Sequence, residues 1–139
     1  MIKEPKIQRI QYTKYVRLLE DYSYYSKRLG KTIYIDAGFI FDGASIPPCF
    51  WSIVGHPLDT YLAAALVHDW CYRVGDDPKR ILCDLVFLDM LKELAIPLWK
   101  RKTMYRYVRL MGWYPWNNYR KLDPQIKNKP NMVFEGIIT

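Results

Sequence analysis

Short runs of β-branched and aromatic residues, interleaved with polar ones, fill the first third of the chain. Residues 14–20 and 31–36 have the composition of strands, and the tyrosines of 22–25 could form another strand between them. The run 37–41 leads into residues 42–48, DGASIPP, where a glycine and two prolines predict a loop.

Beyond residue 58 the hydrophobic residues recur at helical spacing. The first helix should cover about 60–73 and end at the GDDP run that follows it. Two more helices are predicted over about 79–95 and 97–111, and a glycine marks the end of the last. The prolines beyond that glycine predict a mostly irregular tail.

Strands followed by helices predict an α+β fold, in which a small N-terminal antiparallel β-sheet packs against a bundle of about three helices. At 139 residues the chain is expected to be a single domain, β-rich over 1–50, helical over 58–112 and basic and irregular over 113–139. Its residues are 50% hydrophobic and 16% aromatic, a composition that excludes a disordered chain.

No hydrophobic run approaches the length of a membrane span, and the charged N-terminus has no signal-peptide core. We therefore expect the protein to stay in the cytoplasm where it is made, or to be packed into a particle there. Cys49, Cys71 and Cys83 are odd in number and irregularly spaced, which predicts reduced thiols rather than disulfides or a zinc site.

The positive charge is concentrated in the last third of the chain. Residues 1–99 hold equal numbers of basic and acidic residues, so the net charge of +7 arises from 100–139. Interleaved with aromatic residues, the basic positions of the third predicted helix are Lys100, Arg101, Lys102, Arg106 and Arg109. Such a surface could meet the phosphate groups of nucleic acid, membrane lipid or another anionic polymer. The alternative is a solvated helix face whose aromatic residues anchor in the core.

The HDxxY sequence in the first predicted helix carries the candidate chemistry. His68 and Tyr72 are four residues apart and share one helix face, whereas Asp69 points roughly 100° away and can serve another partner. The chain has one other histidine, His56, to which we assign no role. A catalytic dyad or a metal site could use this arrangement.

Asp84 lies on a second helix that is mostly apolar, so its carboxylate needs a partner. Counted from the break between the two helices, His68 and Asp84 lie at similar height. If the faces match, Asp84 accepts a hydrogen bond from one nitrogen of His68 and makes the other nitrogen a better base, able to activate water for attack on an ester or amide. Alternatively, Asp84 is a satisfied structural contact that caps the loop or pairs with Arg80.

Three segments, in this order, resemble a family of unknown function that phages and prophages encode. They are the GF of 38–39 followed by the DGASIP of 42–47, the HDxxY helix, and Asp84 with Phe87. The likeness covers about 14–112, with the phenylalanine at the third position after the aspartate instead of the second. It implies a phage origin, with the bacterial host cytoplasm or the virion as location, but no particular activity.

The HDxxY helix and the later aspartate are also similar to those of secreted phospholipases A2 and of the related domain in parvovirus capsids. The likeness implies that His68 is a general base and that Asp69 binds calcium. It implies further that Tyr72 and Asp84 orient His68.

The calcium loop of those phospholipases has no close equivalent here, because residues 42–45 contain one glycine, and the disulfides are absent. Asp42 could place a carboxylate where those enzymes use a backbone carbonyl and, beside Asp69, complete a Ca²⁺ site. In the alternative, Asp42 and Ser45 form a local turn. Ser45 is not expected to be a nucleophile, since no GxSxG-type elbow surrounds it.

Three functions remain open. The first is hydrolysis of a lipid or cell-envelope ester or amide by a His68–Asp84 dyad, with or without calcium. The second is a virion component of tail or neck, in which the HDxxY cluster is a buried polar network. The third is a cytoplasmic accessory factor that binds nucleic acid or a host protein through the basic third. A catalytic His68 must be reachable from a cleft, whereas a structural one is sealed.

Overall fold

The computed structural model describes residues 2–13, 15–41, 61–73 and 79–121 of the chain. Strands precede helices in these ranges, and the α+β prediction is confirmed. The strands are β1 (Ile7–Arg9), β2 (Val16–Leu18), β3 (Tyr22–Ser26), β4 (Lys31–Ile35) and β5 (Ile40–Phe41). The helices are α1 (Leu62–Arg73), α2 (Arg80–Glu93), α3 (Leu98–Met111) and α4 (Trp113–Arg120). Within the described residues, none of the helices combines the length and the apolar character that a membrane span requires.

The strands form two antiparallel sheets rather than one. The first has the order β1-β2-β5, and the second is the hairpin of β3 and β4. In β3 the buried side chains of Tyr22, Tyr24 and Ser26 alternate with exposed ones, as the two-residue period of a strand requires. Gly30, with a φ of +63°, provides the left-handed residue of the hairpin turn.

α1 is the central element of the fold. All of its residues except Trp70 are buried, and the alanines of 63–65 allow neighbouring elements to approach closely. α1 packs against α2, α4, β4 and β5. A helix buried in this way must satisfy its polar side chains inside the protein. Those side chains are His68, Asp69, Tyr72 and Arg73.

Helix α4 occupies a segment where the prolines of the tail predict irregular chain. The helix forms because Pro115 lies in its first turn, where a backbone N–H has no partner within the helix. Trp116 and Tyr119 then pack against the hydrophobic core. Cys71 and Cys83 are buried thiols, not a disulfide. The predicted loop of 42–48, Cys49 and the rest of the tail lie outside the described residues.

The C-terminal end of α2 is a Schellman turn with alanine where glycine is preferred. The Ile96 N–H donates to the Leu91 carbonyl and the Ala95 N–H to the Lys92 carbonyl, both at 3.0 Å. Ala95 has a φ of +59°, a left-handed conformation that costs a residue with a Cβ about 1–2 kcal/mol.

Ala95→Gly should therefore raise the free energy of unfolding by about 1 kcal/mol, as measured by urea unfolding. The matched control is Ala37→Gly, at an exposed position whose φ is not left-handed. This control should be neutral or destabilising, because glycine gains conformational entropy in the unfolded chain. Equal effects of the two substitutions would contradict the interpretation.

Candidate functional site

Asp84 is the centre of a buried hydrogen-bond network that joins α1, α2 and α3. Its side chain is 0% exposed, and Oδ1 receives Nε2–H of His68 at 2.7 Å and the Tyr72 hydroxyl at 2.6 Å. Oδ2 receives the guanidinium groups of Arg109 at 2.6 Å and Arg80 at 3.4 Å. The structure thus brings together the predicted dyad of His68 and Asp84 and the supporting Tyr72.

Helical geometry explains the meeting of these groups. His68 and Tyr72 are one turn apart on α1, and their ring centroids lie 4.3 Å apart. Asp84 faces them from the second turn of α2, and one turn further along, Phe87 packs its ring 4.9 Å from that of His68. These ring contacts hold the imidazole in one orientation.

Arg109 does not lie on a free basic surface, as its place in the basic third suggested. Its guanidinium pairs with Asp84, and its side chain is 30% exposed. Arg80 donates to Asp84 and also to the backbone carbonyls of Val108 and Arg109, at 3.3 and 3.2 Å. Asp84 therefore makes both alternative contacts, with the histidine and with Arg80. No local pattern marks Arg109, because it is 25 residues from Asp84 in sequence.

The network keeps Asp84 ionised and sets the tautomer of His68. Burial alone would raise the pKa of Asp84, but hydrogen bonding and charge from His68, and hydrogen bonds from Tyr72 and Arg109, hold the pKa below its ordinary value. Since an ionised carboxylate only accepts hydrogen bonds, Nε2 of His68 must carry the hydrogen. Whenever the ring is neutral, its lone pair is therefore on Nδ1, and within the described residues this nitrogen has no hydrogen-bond partner.

His68 lines a cavity of about 530 Å³ beside α1. Most of the wall is aromatic or aliphatic and comes from the end of α3 and from α4; it includes Tyr107, Val108, Met111, Trp113, Tyr114 and Tyr119. Although His68 is only 4% exposed, it reaches this cavity together with Asp69 and Tyr72. His68 is therefore a lining residue of a cleft whose volume is that of a small-molecule site.

Asp69 points away from the dyad and pairs with Arg73, one turn along α1, at 3.1 Å. The Arg73 guanidinium also donates to the Ile40 carbonyl of β5 and to the Tyr119 hydroxyl of α4. It lies 5.1 Å from the centre of the Phe39 ring. Arg73 is 3% exposed, so this buried cation ties α1 to β5 and α4.

The described residues do not fit a calcium ion. A carboxylate and a backbone carbonyl are ligands that calcium takes, but those of Asp69 and Ile40 bind the Arg73 guanidinium instead. Across the described ranges, no group of three or more His, Cys, Asp or Glu side chains could hold a metal ion. Asp42, the other predicted ligand, lies outside those ranges, so the calcium site stays a prediction.

The other predicted surface cations differ in exposure. Lys102 and Arg106 are exposed on α3, whereas Lys100 and Arg101 are partly buried. The Lys100 ammonium lies 5.5 Å from the centre of the Trp99 ring. The open part of the basic face is therefore centred on Lys102 and Arg106.

Comparison with known proteins places the chain in a family. Residues 16–108 match the family described as a protein of unknown function, DUF1353, and the chain belongs to it. The matched segment contains His68, Tyr72 and Asp84 and ends one residue before Arg109. Membership in a family of unknown function is thus confirmed, and the phage origin stays a prediction.

A relative with a longer chain is the uncharacterized protein y4jT of Sinorhizobium fredii (strain NBRC 101917 / NGR234). It is 35% identical over 101 residues, a match that covers 69% of this chain. The chain spans 28% of the length of that relative. No solved structure gave a significant match.

Asp84→Asn should lower the free energy of unfolding at pH 7 by about 1–3 kcal/mol, because the partly buried Arg80 and Arg109 lose their anion. The folded pKa of Asp84 is below the ordinary 3.8, so its stabilisation is complete above that value and is lost as the pH falls towards the folded pKa. The difference in the free energy of unfolding between wild type and Asp84→Asn should therefore decrease below about pH 4.

Urea unfolding between pH 7 and pH 3 measures this difference. Asp36→Asn, at an exposed aspartate, is the matched control and should change stability little at any pH. A wild-type advantage that persists unchanged at pH 3 would contradict an ionised, stabilising Asp84.

Gly112 joins α3 to α4 where there is no room for a side chain. A Cβ there would collide with the Val108 carbonyl oxygen and the Tyr72 hydroxyl. Gly112→Ala should therefore destabilise the protein by about 1–3 kcal/mol, measured by thermal unfolding. Adding Tyr72→Phe removes one colliding atom and should give a double variant more stable than the two single effects predict. Simple additivity would contradict the predicted collision.

Proposed function

We propose that this protein is a hydrolase in which His68, oriented by Asp84, is the general base that activates water. One observation carries the proposal: a buried, ionised Asp84 lies 2.7 Å from Nε2 of His68, and His68 is among the residues that line a cavity of about 530 Å³. A histidine in a purely structural network has no need of such a cavity.

The roles follow from the hydrogen-bond directions. The Nδ1 lone pair takes a proton from water as the water oxygen attacks the carbonyl carbon. The imidazolium that forms is stabilised by the carboxylate of Asp84 and returns the proton to the leaving oxygen or nitrogen. Tyr72 keeps Asp84 in place through its hydroxyl, whose pKa burial raises, so it remains a donor.

The cavity wall indicates the kind of substrate. Its aromatic and aliphatic side chains suit an apolar group, such as an acyl chain, beside the scissile bond. The proposed substrate is therefore an ester or amide of a lipid or of a cell-envelope component. Because the Asp69 carboxylate pairs with Arg73, no step is assigned to calcium, and the assay tests its requirement directly.

A second candidate function has an observation of its own. Asp84 receives donors from three helices, an arrangement that would fix helix packing in a component of a phage tail or neck. In that role the network contributes stability and His68 does no chemistry.

His68→Gln separates the two functions. The glutamine amide can still donate to Asp84 but offers no titratable base, so activity should fall by about 10²–10⁴-fold while the melting temperature changes little. His68→Ala should also lose activity and should cost roughly 1–3 kcal/mol of stability by removing one of the donors to the buried Asp84.

The assay uses purified full-length protein with mixed phospholipids and with short- and long-chain aryl esters, each with calcium or with a chelator. His56→Gln, at the other histidine, is the matched control and should keep full activity. Turnover that persists in His68→Gln would show that His68 is not the general base. No turnover on any substrate, together with a less stable His68→Ala, would favour the structural function.

A further inference from the structure

Large hydrophobic side chains are exposed at the junction of α3 and α4. Leu110 is 71% exposed, Met111 55%, Trp113 55% and Tyr114 63%. These four residues are consecutive apart from Gly112 and are termed here the junction ridge. The rings of Trp113 and Tyr114 pack edge to face, with centroids 5.9 Å apart, so they project as one unit. Four exposed hydrophobic side chains within five consecutive residues favour an interaction surface here.

Positive charge lies beside the junction ridge, although Arg109 is paired with Asp84. Residues 98–121 contain seven basic residues and no acidic one. Lys102, Arg106 and Leu110 recur every four residues, so they share the exposed face of α3, opposite the buried Met104 and Val108. The exposed face of α3 therefore continues a cationic strip into the junction ridge.

The junction ridge is also part of the cavity wall. Met111, Trp113 and Tyr114 line the cavity that His68 reaches. A molecule bound against the ridge would therefore lie at the entrance to the candidate site.

We propose that the junction ridge and the cationic strip bind the surface of an anionic lipid bilayer. Tryptophan and tyrosine favour the headgroup level of a membrane, and leucine and methionine gain from transfer into the acyl region just below it. Lys102 and Arg106 meet the lipid phosphates. Nucleic acid also attracts cations and stacks on aromatic rings, but it offers no apolar phase for exposed aliphatic side chains such as Leu110.

This surface does not depend on the hydrolase proposal, because binding requires no chemistry at His68. Vesicle binding by the His68→Gln variant tests the surface proposal separately from the hydrolase proposal. Wild-type protein that binds vesicles but hydrolyses nothing would leave the surface proposal standing and the hydrolase proposal wrong. Hydrolysis without vesicle binding would give the reverse result.

The experiment is co-sedimentation of the full-length protein with phosphatidylglycerol-containing vesicles and with pure phosphatidylcholine vesicles. Leu110→Ser should weaken binding to the anionic vesicles about tenfold, and Lys102→Glu with Arg106→Glu at least tenfold. Tyr34→Ser is the control for the first, since Tyr34 on β4 is also 71% exposed. Lys27→Glu with Lys31→Glu, at exposed lysines of the β3–β4 hairpin, is the control for the charge reversal.

Binding to anionic vesicles that both α3 changes weaken, and both controls leave intact, supports the proposal. Two outcomes overturn it. The first is no binding to phosphatidylglycerol vesicles at low salt. The second is binding that Leu110→Ser leaves unchanged and that duplex DNA competes away, which would identify a general polyanion surface instead. Circular dichroism of each variant confirms that it is folded.

Discussion

The charge of one buried carboxylate constrains this fold more than any other single group. Asp84 is 0% exposed, and an ion in that position is tolerated only if donors surround it. His68, Tyr72, Arg80 and Arg109 provide them, and they come from three different helices. The need to hydrogen-bond this carboxylate constrains the register of the helices and the orientation of the imidazole. It also constrains the close junction at Gly112 between α3 and α4.

α1 carries two such networks on different faces. One face presents His68 and Tyr72 to Asp84, and the other presents Asp69 and Arg73 to β5 and α4. The second network places a guanidinium between a carboxylate and a backbone carbonyl, a position that a metal ion occupies in other proteins. The positive charge at this position is therefore that of the Arg73 guanidinium. It lies near the cavity that His68, Asp69 and Tyr72 line.

Local spacing in the sequence predicted the part of the site that depends on helix geometry. The i, i+4 relation places Tyr72 beside His68, and the count of turns from the break brings Asp84 opposite them. The same reasoning could not find Arg109 or the partners of Arg73 on β5 and α4, because these contacts join residues 25 or more apart in sequence. Arg109 resembles its basic neighbours on α3, and only the packing of α3 on α2 distinguishes it. The prolines of the tail likewise prevented the prediction of α4, because the effect of a proline on a helix depends on its position within that helix.

The central claim is that Asp84 sets the tautomer of the neutral His68 ring, with hydrogen on Nε2 and a lone pair on Nδ1. Nitrogen NMR of the ring tests it most directly, and His56→Gln leaves His68 as the single histidine of the chain. The account predicts the long-range proton–nitrogen correlations of the Nε2–H tautomer for the neutral ring, and a weaker preference for this tautomer in Asp84→Asn. Hydrogen on Nδ1, or a mixture of tautomers in wild type that Asp84→Asn leaves unchanged, would contradict the account.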